Sequence, residues 1–138
     1  MILYCCADLM FSSRVEGTAR ALDLPTRAVP DTEHLAAILR PGDAGSPPAD
    51  GPPQALFVDL DLGEEASELI RTARAAAPDL PIIAFGSHVE ADRLREARDL
   101  GADPALPRSR FVQQLPRMLQ RLADEGGARP LNPRDFTE

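Results

Sequence analysis

Residues 54–60 read QALFVDL, an apolar run that closes on the carboxylate Asp59. The run has the length of a strand, and its unbroken apolar character marks a strand covered on both faces, as in a parallel sheet. Just beyond it, Gly63 turns the chain into a helical pattern over about 64–77. The inward stripe of that helix is Leu69, Ile70, Ala73 and Ala76. Pro78 and Pro81 bracket a turn, and a second run, IIAF at 82–85, reads as the next strand.

The same alternation extends in both directions. Upstream, MILYCC at 1–6 reads as a buried strand. A helix follows with Phe11, Val15, Thr18, Ala19 and Leu22 on one face, stopped by Pro25. A short strand at 26–29 and a helix at 32–39 come next, with Asp31 as N-cap and Pro41-Gly42 as the stop. Downstream, residues 88–100 read as a helix closed by Gly101, and Leu106 lies in a very short strand between Pro104 and Pro107. Phe111, Leu115, Met118 and Leu122 form a last helical stripe, with Pro116 expected to kink or break it. Five β-α repeats imply an α/β fold: a doubly wound, five-stranded parallel sheet, flavodoxin-like, of strand order 2-1-3-4-5.

Composition bounds the rest. A chain of 138 residues with 43% hydrophobic residues can bury one core without staples, so a single domain is expected over residues 1–123. Aromatics make up only 4%, which predicts a core mainly of Leu, Ile, Val and Ala. Residues 41–53 (PGDAGSPPADGPP) read as a flexible loop insertion, and 124–138 as a disordered tail. A net charge of -7 without a basic run lacks the electrostatic footprint for nucleic acid and disfavours anionic membranes. All 15 basic residues are Arg, so lysine-dependent chemistry is absent. Cys5 and Cys6 are adjacent, which suits neither a disulfide nor a zinc site. Free thiols in a buried strand fit a reducing cytosol. There is no signal-peptide pattern and no run of 18 apolar residues. Nucleotide and hydrolase signatures (G-x-G-x-x-G, P-loop, G-x-S-x-G, C-x-x-C) are missing. His34 and His88 are far apart in sequence, with no pattern that suggests a metal site.

In a doubly wound sheet a site lies at the carboxyl ends of the strands. Those ends hold Ala7 and Asp8, Val29 and Pro30, Asp59 to Gly63, Gly86 to His88, and Pro107 to Ser109. Here the segments ALFVDLDLG (55–63), PIIAFGS (81–87) and GADPALPRSRF (101–111) resemble, in order and spacing, the third, fourth and fifth strand motifs of bacterial response regulator receiver domains (CheY-like). The resemblance spans about residues 1–123.

Such domains use two acids after the first strand for Mg²⁺, a phospho-accepting Asp after the third, a Ser or Thr after the fourth and a Lys after the fifth. A carboxylate is a competent nucleophile toward phosphoryl groups, and a metal and a fixed cation offset the developing charge. By this resemblance Asp59 is the phospho-acceptor candidate, while Gly86, Ser87 and Arg108 occupy the switch positions. The acidic pair falls on Cys6 and Ala7, leaving Asp8, Asp59 and Asp61 as candidate metal ligands that would hold Mg²⁺ weakly at most. Thiols are poor ligands for that hard cation. The residue chemistry also predicts an Arg108–Asp59 ion pair and Ser87 as N-cap of the following helix.

The resemblance therefore implies a stand-alone degenerate receiver, or pseudo-receiver. It would be a cytoplasmic protein-protein interaction module in bacterial signal transduction, and not an enzyme. No cofactor beyond weak Mg²⁺ is expected. Its partner would be a protein of a signalling pathway, such as a histidine kinase or an output protein, with no nucleic acid and no membrane. The chain itself would be a monomer or a homodimer. The alternative is an atypical phospho-accepting regulator that uses Asp59. The family's docking face would include Arg93, Arg95, Arg98, Arg108 and Arg110. Glu90, Asp92, Glu96 and Asp99 stand at salt-bridging spacing among them, as on an ordinary solvated helix.

Overall fold

The computed structural model describes residues 1–40, 51–87 and 89–125. Most of the loop read at 41–53, the tail from 126 onward and His88 lie outside the described residues. Five strands, β1 (Ile2–Cys5), β2 (Thr26–Ala28), β3 (Ala55–Asp59), β4 (Ile82–Gly86) and β5 (Ala105–Pro107), pair in parallel in the order β2-β1-β3-β4-β5. Helices α1 (Leu9–Ala21), α2 (Thr32–Leu39), α3 (Glu64–Ala76), α4 (Ala91–Leu100) and α5 (Arg108–Glu125) connect and cover them.

The period-2 alternation of the strands sorts the core into two layers. Met1, Leu3, Cys5, Leu56, Val58, Ile82 and Ala84 face the layer of α2, α3 and α4. Ile2, Tyr4, Ala55, Phe57, Ile83 and Phe85 face α1 and α5. The first layer is aliphatic, as composition predicts. The second is not: Phe11, Phe57, Phe85 and Phe111 gather there. Asp59 continues the alternation of Ala55 and Phe57, which carries its carboxylate toward the aromatic layer.

Several expectations need correction. The inward stripe of α3 is Ala66, Leu69, Ile70 and Ala73, while Ala76, the last residue of the helix, is exposed. Helix α4 begins at Ala91, not at 88. Ser87 does not cap it. The hydroxyl of Ser87 instead accepts from the Val89 amide at 3.3 Å, closing a turn before the helix, and Glu90 occupies the N-cap position. Helix α5 runs without interruption through Pro116 to Glu125, so a domain boundary at 123 falls inside it. Pro116 is exposed, whereas Leu115, Met118 and Leu119 on the opposite face are buried and hold both halves against the sheet.

The carboxyl edge of α4 shows why a glycine is required there. Gly101 adopts φ 120°, and a Cβ at this position would lie 2.8 Å from Nε of Arg74. The Arg74 guanidinium donates to the carbonyls of Pro78, Leu80 and Gly101. It thereby ties the end of α3 to the turns before β4 and β5.

Candidate functional site

The carboxyl ends of β1, β3 and β5 converge on Asp59, which has no solvent exposure. A buried carboxylate needs donors for its oxygens. Its Oδ2 accepts from the Ala7 amide at 3.0 Å, and its Oδ1 accepts from the Asp61 amide at 3.0 Å. The backbone after β1 and the 3-10 turn at Leu60–Leu62 thus hold the carboxyl group from two sides.

Arg108, the first residue of α5, completes the cluster. Its Nη2 lies 3.4 Å from Asp59 Oδ1 and also pairs with Asp61 Oδ2. The guanidinium carbon sits 5.4 Å from the centroid of Phe11, over the ring. Phe11 in turn stacks on Phe85 at 5.3 Å, and Phe85 on Phe111 at 4.1 Å. The planar cation fits between two carboxylates and an aromatic face, a placement that suits Arg better than Lys. The ion pair predicted between Arg108 and Asp59 is present. Asp61 was expected at the site as a metal ligand and pairs with Arg108 instead, while the Phe11 platform was missed, since it does not follow from strand-end spacing.

Gly86 sits at the end of β4 under Leu60. A Cβ at position 86 would lie 3.1 Å from Leu60 Cβ and 3.3 Å from Leu60 Cδ1. Leu60 is buried and fills the space where a hydroxyl-bearing residue would stand. Ser87, one residue later, is engaged in its own turn.

Asp8 is not drawn into the cluster. It is exposed, and its Oδ1 accepts from the Met10 amide at 2.7 Å as the N-cap of α1. Of the three carboxylates proposed for Mg²⁺, Asp59 and Asp61 are bridged by a guanidinium and Asp8 caps a helix. Among the described residues no three His, Cys, Asp or Glu are grouped so as to hold a metal ion. In this arrangement the donor set does not fit a divalent cation, whose ligands would first have to give up Arg108. His34 is exposed and paired with Asp31 at 2.7 Å, the residue that also caps α2 through the His34 amide.

The thiols next to the site are held protonated. Burial pushes Cys5 up to about 12 from its ordinary 9.0, helped by Cys6 and Glu65. Burial likewise pushes Cys6 to about 12. A hydrogen bond with Ser12 opposes that rise, while the negative charges of Asp59, Asp8 and Glu16 add to it. Both folded values lie above the unfolded one, so the stability linked to protonation is complete below pH 9 and is lost as pH rises from about 9 toward 12. Two outcomes are expected. A thiol reagent at pH 8 labels native protein at least tenfold more slowly than urea-unfolded protein. The urea midpoint falls between pH 8 and pH 10, and the Cys5→Ala/Cys6→Ala variant shows a smaller drop. Equal labelling of native and unfolded chains would contradict the buried placement of β1.

No family model matches the chain, and no curated protein matches it in sequence. Solved structures do match in fold. The receiver domain of NtrX from Brucella abortus superposes with a TM-score of 0.68 at 20% identity, over 90% of this chain and 98% of that one. A CheY-like response regulator receiver domain protein from Methanospirillum hungatei gives 0.67 at 14% identity, over 90% and 93%. A response regulator from Burkholderia pseudomallei, solved with a phosphorylated aspartic acid, a calcium ion and citrate, gives 0.65 at 19% identity, over 92% and 70%. With its strand order, its helices on both faces and an aspartate closing β3, this chain has the fold of the response regulator receiver domain.

Proposed function

We propose that this chain is a receiver-fold docking module of bacterial signal transduction whose carboxylate site is closed by an ion pair. In this reading partner binding does not depend on phosphorylation of Asp59, and the module has no catalytic activity of its own. The observation that carries the reading is the state of Asp59, which is fully buried, with both oxygens accepting from backbone amides and Arg108 alongside. Attack on a phosphoryl donor requires a carboxylate oxygen free to reach the phosphorus in line, with positive charge opposite. Here the nearby cation binds the nucleophile itself and a second carboxylate. The module would act in the cytoplasm, on a protein such as a histidine kinase or an output protein. Among the described residues, no helix is long and apolar enough to cross a membrane.

A second reading is favoured by one observation: Asp59 closes β3 in the same fold that carries a phosphorylated aspartic acid in the Burkholderia pseudomallei protein. Intact-mass spectrometry after incubation with Mg²⁺ and acetyl phosphate separates the two. The docking-module reading expects no mass gain over the Asp59→Asn control. Loss of one preorganised charge contact costs about a hundredfold in rate, and the site lacks more than one. A stoichiometric phosphoryl gain, absent in Asp59→Asn, would establish the phospho-accepting reading instead.

A further inference from the structure

Helix α4 has little apolar hold of its own. Most residues of its sequence ADRLREARDL are charged, and only Leu94 and Ala97 are buried. Helix α3, by comparison, buries Ala66, Leu69, Ile70 and Ala73. Glu90 at the N-cap position of α4 makes no capping bond through its side chain. A crevice of about 240 Å³ lies between Glu64 and Ser67 of α3 and Arg93 and Glu96 of α4. The one side-chain bond across it, from the Ser67 hydroxyl to Glu96, is long at 3.4 Å. Close packing against α3 therefore does not fix where α4 lies.

Guanidinium groups supply what packing does not. Near the start of the helix, Arg93 donates through Nη1 to the Leu60 carbonyl at 3.1 Å, while its Nε pairs with Glu90 at 3.1 Å. Farther along, Arg98 donates through Nη2 to the Ala105 carbonyl at 3.0 Å. That carbonyl belongs to β5, the edge strand, which has no further strand beside it. Just past the helix, the Gly101 carbonyl accepts from Arg74 of α3. A charged donor on a backbone carbonyl makes a stronger bond than a neutral one, and the planar fork lets one group serve two acceptors. Arg95 differs from these. It lies 3.8 Å from Asp92 with both side chains largely exposed, and such a pair holds little.

The anchoring carbonyls stand on the segments that carry the closed site. Leu60 lies between Asp59 and Asp61, and Ala105 lies in the strand that leads into Arg108. Arg108 pairs with both aspartates, so the two points to which α4 is tied are themselves held relative to each other. We infer that Arg93 and Arg98 are clamps that keep α4 in a single position, with Arg74 fixing its exit. The module thus presents one arrangement of this helix at all times. The inference rests on the docking-module reading and gives its conformational basis, since a surface held in one state binds without a prior rearrangement.

Native-state amide hydrogen exchange of the full chain, read by NMR, tests the clamps. In the parent protein the amides of residues 94–100 are expected to exchange no more than about tenfold faster than those of α3. In Arg93→Met/Arg98→Met they exchange at least about tenfold faster than in the parent, while the amides of β1 and α3 keep their rates. Arg95→Met leaves every rate unchanged. Should the double variant not fold, each single substitution is measured alone, with about threefold acceleration confined to α4 expected. A parent α4 that already exchanges far faster than α3 overturns the inference, because the helix is then not held. Unchanged α4 rates in the variants overturn it as well. Equal acceleration in α3, α4 and β1 does the same, since it makes the two arginines general contributors to stability. Phosphoryl transfer to Asp59 would remove the docking-module reading, whereas the exchange rates decide the clamps in either case.

Discussion

Arg108→Met destabilises the fold by about 3 kcal/mol, and Asp59→Asn in the same chain restores much of that loss. Asp59 has no solvent exposure and Arg108 is only 28% exposed, so the pair sits where charge is costly to leave alone. With Arg108 gone, two backbone amides remain to Asp59 and the opposite charge is lost. Asp61 loses its partner as well, but it is nearly half exposed and water replaces the guanidinium there. Converting Asp59 to Asn removes the uncompensated charge, so the two substitutions are strongly non-additive. Arg108→Lys loses less than Arg108→Met, because an ammonium keeps the charge but cannot bridge both carboxylates and stack on Phe11 together. Urea denaturation of the two single variants and the double variant measures the coupling. Additive effects would show that the ion pair contributes nothing to folding.

Phe111→Ala costs more, about 3–5 kcal/mol, with a melting temperature lower by roughly 10–20 °C. The Phe111 ring is fully buried, stacked on Phe85 at 4.1 Å and edge-on to Phe57 at 5.5 Å. It also lies 6.3 Å from Phe11. Its removal opens a cavity between α5 and the sheet and withdraws support from the ring that carries Arg108. Phe111→Leu retains most of the apolar volume and loses less. A thermal melt compares both variants with Gln120→Ala on the exposed face of α5, which stays within about 0.5 kcal/mol of the parent. A Phe111→Ala melt close to the parent's would mean that α5 does not pack on the sheet through this ring.

The parallel sheet was legible because fully buried strands write themselves as unbroken apolar runs. ALFVD and IIAF are such runs, and both stand where the structure places β3 and β4. The stripe Phe111, Leu115, Met118 and Leu122 was legible for the same reason, with every member buried. The start of α4 was not, because the hydroxyl of Ser87 serves a local turn as readily as a helix cap and only the geometry chooses. Pro116 does not break α5, because it stands on the exposed face while the opposite face is held against the sheet. At the site, the tie between Arg108 and Asp59 followed from charge and position. The Ala7 amide and the Phe11 ring did not, since a backbone donor has no letter in the sequence and Phe11 was assigned to the core. Asp8 was assigned to metal on its position, and the need of α1 for an N-cap took it instead.

The contact between Leu60 and Gly86 bears on how such a site changes over generations. A side chain at position 86 needs Leu60 to shift by a few tenths of an ångström, so the effect of a hydroxyl there depends on whether Leu60 gives way. A lysine at position 108 likewise cannot bridge Asp59 and Asp61 as the guanidinium does. Substitutions at 86 and 108 each alter a contact shared with a second residue, so their effects on stability are coupled to positions 60 and 61.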